Sequence, residues 1–306
     1  MRWLVHEKVC FWCMMWLIHR DEQVRGVYGV NNYLKLVNFE FNRFFKIYAA
    51  LIAITVISQI TGMIVMSRNY MSHANQAMYE EGLSQTIFIE QYGSMSFYRV
   101  AQTIWVMGPI TLCIVALLFY VFLIWYRDWF GKNTFIYRLL MLPTERINVF
   151  FAKATTIFLM VLGLVALQIF LLPIDSAIMK WLVPLDFRTD LSVNEMISAF
   201  QYLTIIFPYN FFDFGVHYAI GFMSVFVLFT AILFERSFGI KGIILGIIYC
   251  ALTLLLIISP GILTVIYEKP LLYPREYFVL EVILCSIVVA TSIIVSRFLL
   301  NNRVTV

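Results

Sequence analysis

The chain has 306 residues, of which 62% are hydrophobic and 13% charged, with a mean hydropathy of +0.85 and a net charge of +4. A soluble globular domain is about 45–50% apolar and about 25% charged. The difference excludes a cytosolic enzyme, a nucleic-acid-binding module and a disordered chain, and it leaves an all-α membrane protein that crosses the bilayer several times.

Residues 3–18 are rich in aromatic and sulfur side chains but include His6, Glu7 and Lys8. Their longest apolar run, 9–18, is half of the about 20 residues that a transmembrane helix needs. No small-residue cleavage site of a signal peptide follows. Residues 1–31 are therefore set apart from the membrane domain, 32–306. They are either an interfacial helix or sequence upstream of a natural start near 30–37, and N-terminal sequencing distinguishes the two. Cys10 and Cys13 form a CxxC without a second pair, whereas tetrahedral zinc needs four ligands. Cys113, Cys250 and Cys285 stand singly in apolar runs, as small hydrophobes do.

Residues 32–46 are amphipathic. Leu34, Val37, Phe41, Phe44 and Phe45 share one broad face, and Lys35, Asn38, Glu40, Asn42, Arg43 and Lys46 take the rest. The pattern predicts an N-terminal interfacial helix. Six spans follow, at 47–67, 104–126, 154–174 (closed by Pro173), 216–234, 242–266 and 278–296. The fourth is preceded by a broken, re-entrant stretch, 203–215, holding Pro208 and Asp213. All six are predicted helical, because backbone polar groups in lipid must be satisfied within the segment. An even number puts both termini on one side. That side collects 16 basic and 7 acidic residues and the other 6 and 11, so the basic bias predicts cytoplasmic termini in the cell membrane. Without residues 1–33 the bias persists, at 12 basic against 4 acidic.

Ionisable groups are expensive in lipid, so catalytic ones should stand out. His6, His19, His73 and His217 show no HExxH spacing, and no GxSxG occurs. Glu80 and Glu81 read as a solvated loop. Asp213 and His217, four apart, share a helix face and read as a hydrogen-bonded interfacial pair or a proton-linked one. The mid-span polar residues are neutral: Ser58, Gln59, Thr61, Thr111, Gln168, Ser286, Thr291 and Ser292. Gln59 and Gln168 are candidates for lining a translocation path, with interhelical hydrogen bonding as the alternative. No GxxxxGK[ST] is present, so nucleotide hydrolysis through a P-loop needs another chain. No catalytic, cofactor or metal residues are expected here.

The loop at 127–153 carries the most information. Apolar and basic residues alternate through 135–141, and Pro143 suits the first turn of a new helix. Arg138, Leu139, Leu140, Met141, Leu142, Pro143, Thr144, Glu145 and Arg146 are predicted to form an amphipathic element. It lies on the membrane or fills a groove on a soluble partner. Two further features are the 36-residue outer stretch 68–103, long for a simple connection, and Gly242/Gly246. The latter is a small-xxx-small pair suited to close helix contact, including contact with a second chain.

The order of LKLVNFEFNRFFK, six spans, RLLMLPTERINVFFAK after the second span, and an outer connection punctuated by Ser259-Pro260-Gly261, Glu268-Lys269-Pro270 and Pro274-Arg275-Glu276 resembles the permease subunit of ABC-2 type ABC transporters. The likeness covers most of Asn32 to the C-terminus. More narrowly, it is similar to permeases of bacterial peptide-antibiotic and lantibiotic resistance exporters. The resemblance implies a coupling helix within 138–146, a P-loop ATPase partner using ATP and Mg, a second permease chain (identical or not), and short external helices between spans five and six. It also implies export of a hydrophobic or amphipathic cargo: a peptide, drug or lipid. The competing reading is a non-transporting immunity or sensory protein that binds a membrane-active peptide.

Overall fold

A computed structural model describes residues 28–80, 82–130, 135–141, 145–198, 206–208, 210–266 and 273–303. The readings made of residues 1–27, Glu81, Leu142, Pro143 and Thr144, of 203–205, and of Glu268-Lys269-Pro270 with the short external helices expected there, fall outside the described residues. The described residues form ten α-helices: α1 Tyr28–Tyr79, α2 Gln85–Tyr92, α3 Phe97–Ala101, α4 Ile104–Trp129, α5 Phe135–Leu140, α6 Ile147–Leu182, α7 Val193–Ser198, α8 Phe211–Phe238, α9 Ile240–Ile266 and α10 Pro274–Asn302. Six of these, α1, α4, α6, α8, α9 and α10, are long and apolar enough to cross a membrane. Each predicted span lies inside one of them, and the protein is an all-α, multi-span membrane protein.

The boundaries differ from expectation in instructive ways. Residues 32–46 are helical as predicted but run without a break into the first span. With no proline in its 52 residues, α1 extends about 78 Å, against about 30 Å of hydrocarbon. Nor does Pro173 close the third span. α6 continues through it to Leu182, where the Val183 N–H caps the Met179 carbonyl. α8 begins at Phe211, so Asp213 lies in its first turn instead of in a broken approach.

The expected break at Ser259-Pro260-Gly261 is also absent, since α9 runs on to Ile266. A proline leaves the carbonyl four residues back without its N–H partner. Here the Ser259 hydroxyl donates to that carbonyl, Leu256 O, at 2.8 Å. α4 uses the same repair from a neighbouring helix. Pro109 frees Trp105 O, and Ser58 Oγ of α1 donates to it at 2.8 Å. In both places a polar side chain within an apolar helix completes a backbone ladder.

α8 and α9 form a hairpin turned at Gly239, whose φ of 59° suits glycine. A Cβ on Gly242 would sit 2.0 Å from Phe234 O, and one on Gly246 3.0 Å from Ala231 O. This glycine pair therefore closes α9 on α8 within the chain, and the close approach considered for a second chain is already taken.

α1 and α6 run side by side and parallel. Successive contacts are Tyr33 Oη with Thr155 Oγ1 (2.6 Å), Tyr48 Oη to Met160 O (3.1 Å) and Gln59 Nε2 to Gln168 Oε1 (3.0 Å). Gly163 makes room for Tyr48, whose hydroxyl would lie 2.2 Å from an added Cβ. Two large apolar cores lie toward the two ends of the helix bundle, and a small third cluster of Met223, Val227 and Val288 joins α8 to α10. The basal core, at the end holding both described chain ends, includes Val37, Trp125, Phe150, Phe229 and Leu300. The distal core joins the far turns of α1 and α6 to α2, α3 and the segment after α6 through Met63, Phe88, Phe97, Met179 and Phe187. The outer stretch 68–103 is thus folded. Its Met95 pairs through the backbone with Phe187 O and Thr189 N, both at 2.8 Å. α7 starts with a capping box, Ser192 and Glu195 bonding reciprocally. Hydrogen bonding of the Glu195 carboxyl to the Ser192 backbone N–H, and then to the Ser192 side chain, holds it below the usual range.

Candidate functional site

Three buried charges fall in phase with apolar stripes. On α1, Leu36, Val37, Glu40, Phe44 and Tyr48 are all buried, and the spacing puts them on one face. On α4 the buried run is Val121, Ile124, Trp125 and Asp128. On α6, Lys153 sits among Val149, Phe150, Ala154 and Ile157. The three helices therefore deliver Glu40, Asp128 and Lys153 to one point in the basal core.

Lys153, with 0% of its surface exposed, donates to Glu40 Oε1 (2.7 Å), Asp128 Oδ2 (2.5 Å) and Ile124 O (2.8 Å). An ammonium has three hydrogens, so each is satisfied. Arg43 donates to the other Asp128 oxygen at 2.6 Å, and Arg127 to Glu40 Oε2 at 3.1 Å. Three cations thus surround two carboxylates, and Trp125 offers its ring face to Lys153 at 5.3 Å. A network this complete fixes one arrangement of α1, α4 and α6.

α5 rests directly on this ionic centre. Phe135 stacks on Phe39 of α1, with ring centroids 5.5 Å apart, and the Arg43 guanidinium lies over both rings at 5.1 and 5.2 Å. Of the predicted docking residues, Leu139 and Leu140 turn inward with Ile136 into the basal core. Arg138 and Met141 turn outward, Met141 being 70% exposed. Glu145 is exposed, 3.8 Å from Arg297 of α10, and Arg146 donates to Leu300 O at 2.8 Å. Together with Ile147 and Asn301 they line a shallow cavity of about 150 Å³. The segment is thereby tied to α1 and α10 and presents a narrow outward face of its own.

The other sequence candidates are placed as follows. Gln59 and Gln168 are buried against each other, with a return bond from Gln168 Nε2 at 3.4 Å. They make the interhelical pair, and within this chain both amides are occupied by it. His217 Nδ1 donates to the main-chain carbonyl of Asp213 at 2.7 Å, while the Asp213 carboxylate accepts from Asn210 at 3.3 Å. The two side chains are not joined to each other. Among the described residues, no group of three His, Cys, Asp or Glu side chains is arranged to hold a metal.

Sequence reasoning missed the ionic centre. It assigned Glu40 and Arg43 to the polar face of an interfacial helix and counted Asp128 and Lys153 as loop charges. The available signal was the phase of each charge within an apolar stripe. Compared with protein-family models, curated proteins and solved structures, the chain gives no match. Fold and site together define a multi-span helical membrane protein with an ionically braced basal end.

Proposed function

We propose that the chain is the permease subunit of an ATP-driven exporter of the ABC-2 type. It sits in the cell membrane with cytoplasmic termini and works with a separate P-loop ATPase and a second permease chain. The observation that carries this reading is α5 seated on the ionic centre. A short helix at the basal end, buried on one face and exposing Arg138 and Met141 on the other, is what a soluble partner needs in order to push on several spans at once. The basic bias of the same end supports a cytoplasmic location. Cargo is hydrophobic or amphipathic in this reading, because spans of neutral, apolar residues offer such a molecule compatible surfaces. ATP and Mg act in the partner.

The test is co-purification with a P-loop ATPase encoded beside the gene. Arg138→Glu combined with Met141→Asp is expected to reduce association at least tenfold while membrane insertion and thermal stability are retained, as a loss of about 1.4 kcal/mol in binding is tenfold. Arg146 is a poor probe, because it also holds Leu300. Wild-type association with no ATPase, and activity intact without one, favours the immunity or sensory reading instead.

A further inference from the structure

α6 carries a buried stripe of Gln168, Leu172, Asp175 and Met179, spaced at i, i+4, i+7 and i+11. Gln168 faces α1 through its bond to Gln59, and Leu172 and Met179 belong to the distal core. Asp175 lies between those two and is 1% exposed. Neither carboxylate oxygen has a hydrogen-bond partner. Among the described residues no ion pair reaches it, although the other buried carboxylates there, Glu40 and Asp128, are fully matched. At about the same level on α1, eight residues beyond Gln59 as Asp175 is seven beyond Gln168, the Ser67 hydroxyl is also buried without a partner.

The charged and titratable groups on the elements packed here are turned elsewhere. Arg68 and His73 of α1 are exposed, and Tyr70 donates to Gly93 O at 2.9 Å. Arg99 of α3 donates to Tyr92 O, Glu195 of α7 accepts from Ser192, and Lys180 of α6 lies 3.7 Å from Asp190. Arg188 of the segment after α6 donates to Asp190, Lys180 O and Val183 O, and Glu90 and Asp186 are exposed.

A carboxylate placed this way loses its hydration and receives nothing in exchange, a penalty comparable to the whole stability of a fold. A neutral carboxyl suffers only the much smaller loss of a polar group. We propose that Asp175 is a proton-binding site, and that the bound proton keeps the distal ends of α1 and α6 packed shut. Release is simple acid dissociation: the carboxyl O–H breaks, the proton passes to water at the distal face, and the anion left behind favours a state in which that end admits water. The site is independent of the exporter reading and holds whether or not an ATPase docks at the other end.

The test uses the full chain in lipid nanodiscs. Hydrogen–deuterium exchange over residues 168–183, corrected for the intrinsic pH effect, is followed from about pH 5 to about pH 9. Opening in the wild type is expected to rise by up to about tenfold per pH unit above the ordinary carboxylate range and to level off once the carboxyl ionises in the closed state as well. Asp175→Asn keeps the shape but cannot ionise, so it is expected to stay protected throughout. An unchanged pH response in that variant, a wild type insensitive to pH, or protection at high pH that depends on added sodium or potassium overturns the proposal. A second measurement needs no variant. Infrared spectra of the wild-type chain with 13C-labelled aspartate are expected to show a desolvated, protonated carboxyl band persisting near neutral pH, and its absence rejects the site.

Discussion

Lys153 commits all of its hydrogens to partners that water cannot replace, which makes it the side chain whose loss matters most at the basal end. Lys153→Met leaves two buried carboxylates short of a cation and is expected to destabilise the fold by about 3–5 kcal/mol. Arg127 is partly open to solvent, so Arg127→Met is expected to lose about 1 kcal/mol or less. Thermal unfolding in detergent compares the two, and equal losses would contradict the ranking. Ser58→Ala strips Trp105 O of its donor and is expected to lower stability by about 1–3 kcal/mol. The same measurement decides it: a silent Ser58→Ala removes the repair role. Both Ser58 and Pro109 were visible in the sequence. What was not visible is that Ser58 reaches the Trp105 carbonyl that Pro109 frees, because a contact between residues 47 apart depends on how the spans pack. Glu40, Asp128 and Lys153 were hidden for a related reason. A charge near a span boundary reads as solvated until its phase against three separate apolar stripes is considered together.

Helices were more legible than side-chain partners. Sustained apolar stretches located all six crossings, since lipid tolerates no other backbone solution for such stretches. Their ends were misjudged wherever proline was taken as a stop or polarity as an edge. α1 and α6 outrun the bilayer because folded protein, not water, receives their outer turns. The α8–α9 hairpin was read from its glycines as a possible contact between chains, and the geometry assigns those glycines to a close contact within one chain. Gly242→Leu is accordingly expected to drive a side chain into the backbone of α8 and lose about 1–3 kcal/mol or more, with reduced yield of folded protein. Gly215→Ala, also in α8 but with open space around its Cβ, is expected to be neutral or stabilising by up to about 1 kcal/mol. A Gly242→Leu variant as stable as Gly215→Ala would show that the hairpin is not held by this approach.

At the scale of the molecule, composition was enough to define the class, and the basic bias matched the end at which the ionic centre forms. The division of the buried residues into two large cores, one toward each end of the bundle, was not readable. The distal core draws on methionines, phenylalanines and short helices scattered over 68–103 and 183–198, with Phe207, and no single segment there carries a periodic signal strong enough to announce a fold. Between the two cores run α1 and α6, parallel and bonded at intervals. Twenty-two residues of unbroken helix separate Lys153 from Asp175, a distance of about 33 Å. While the distal ends stay packed, neighbouring rods pinned in this way resist sliding past one another and turn together. A small tilt imposed at the tip beneath α5 must then reappear as a sideways swing at the far tip, with the lipid-level segment as fulcrum.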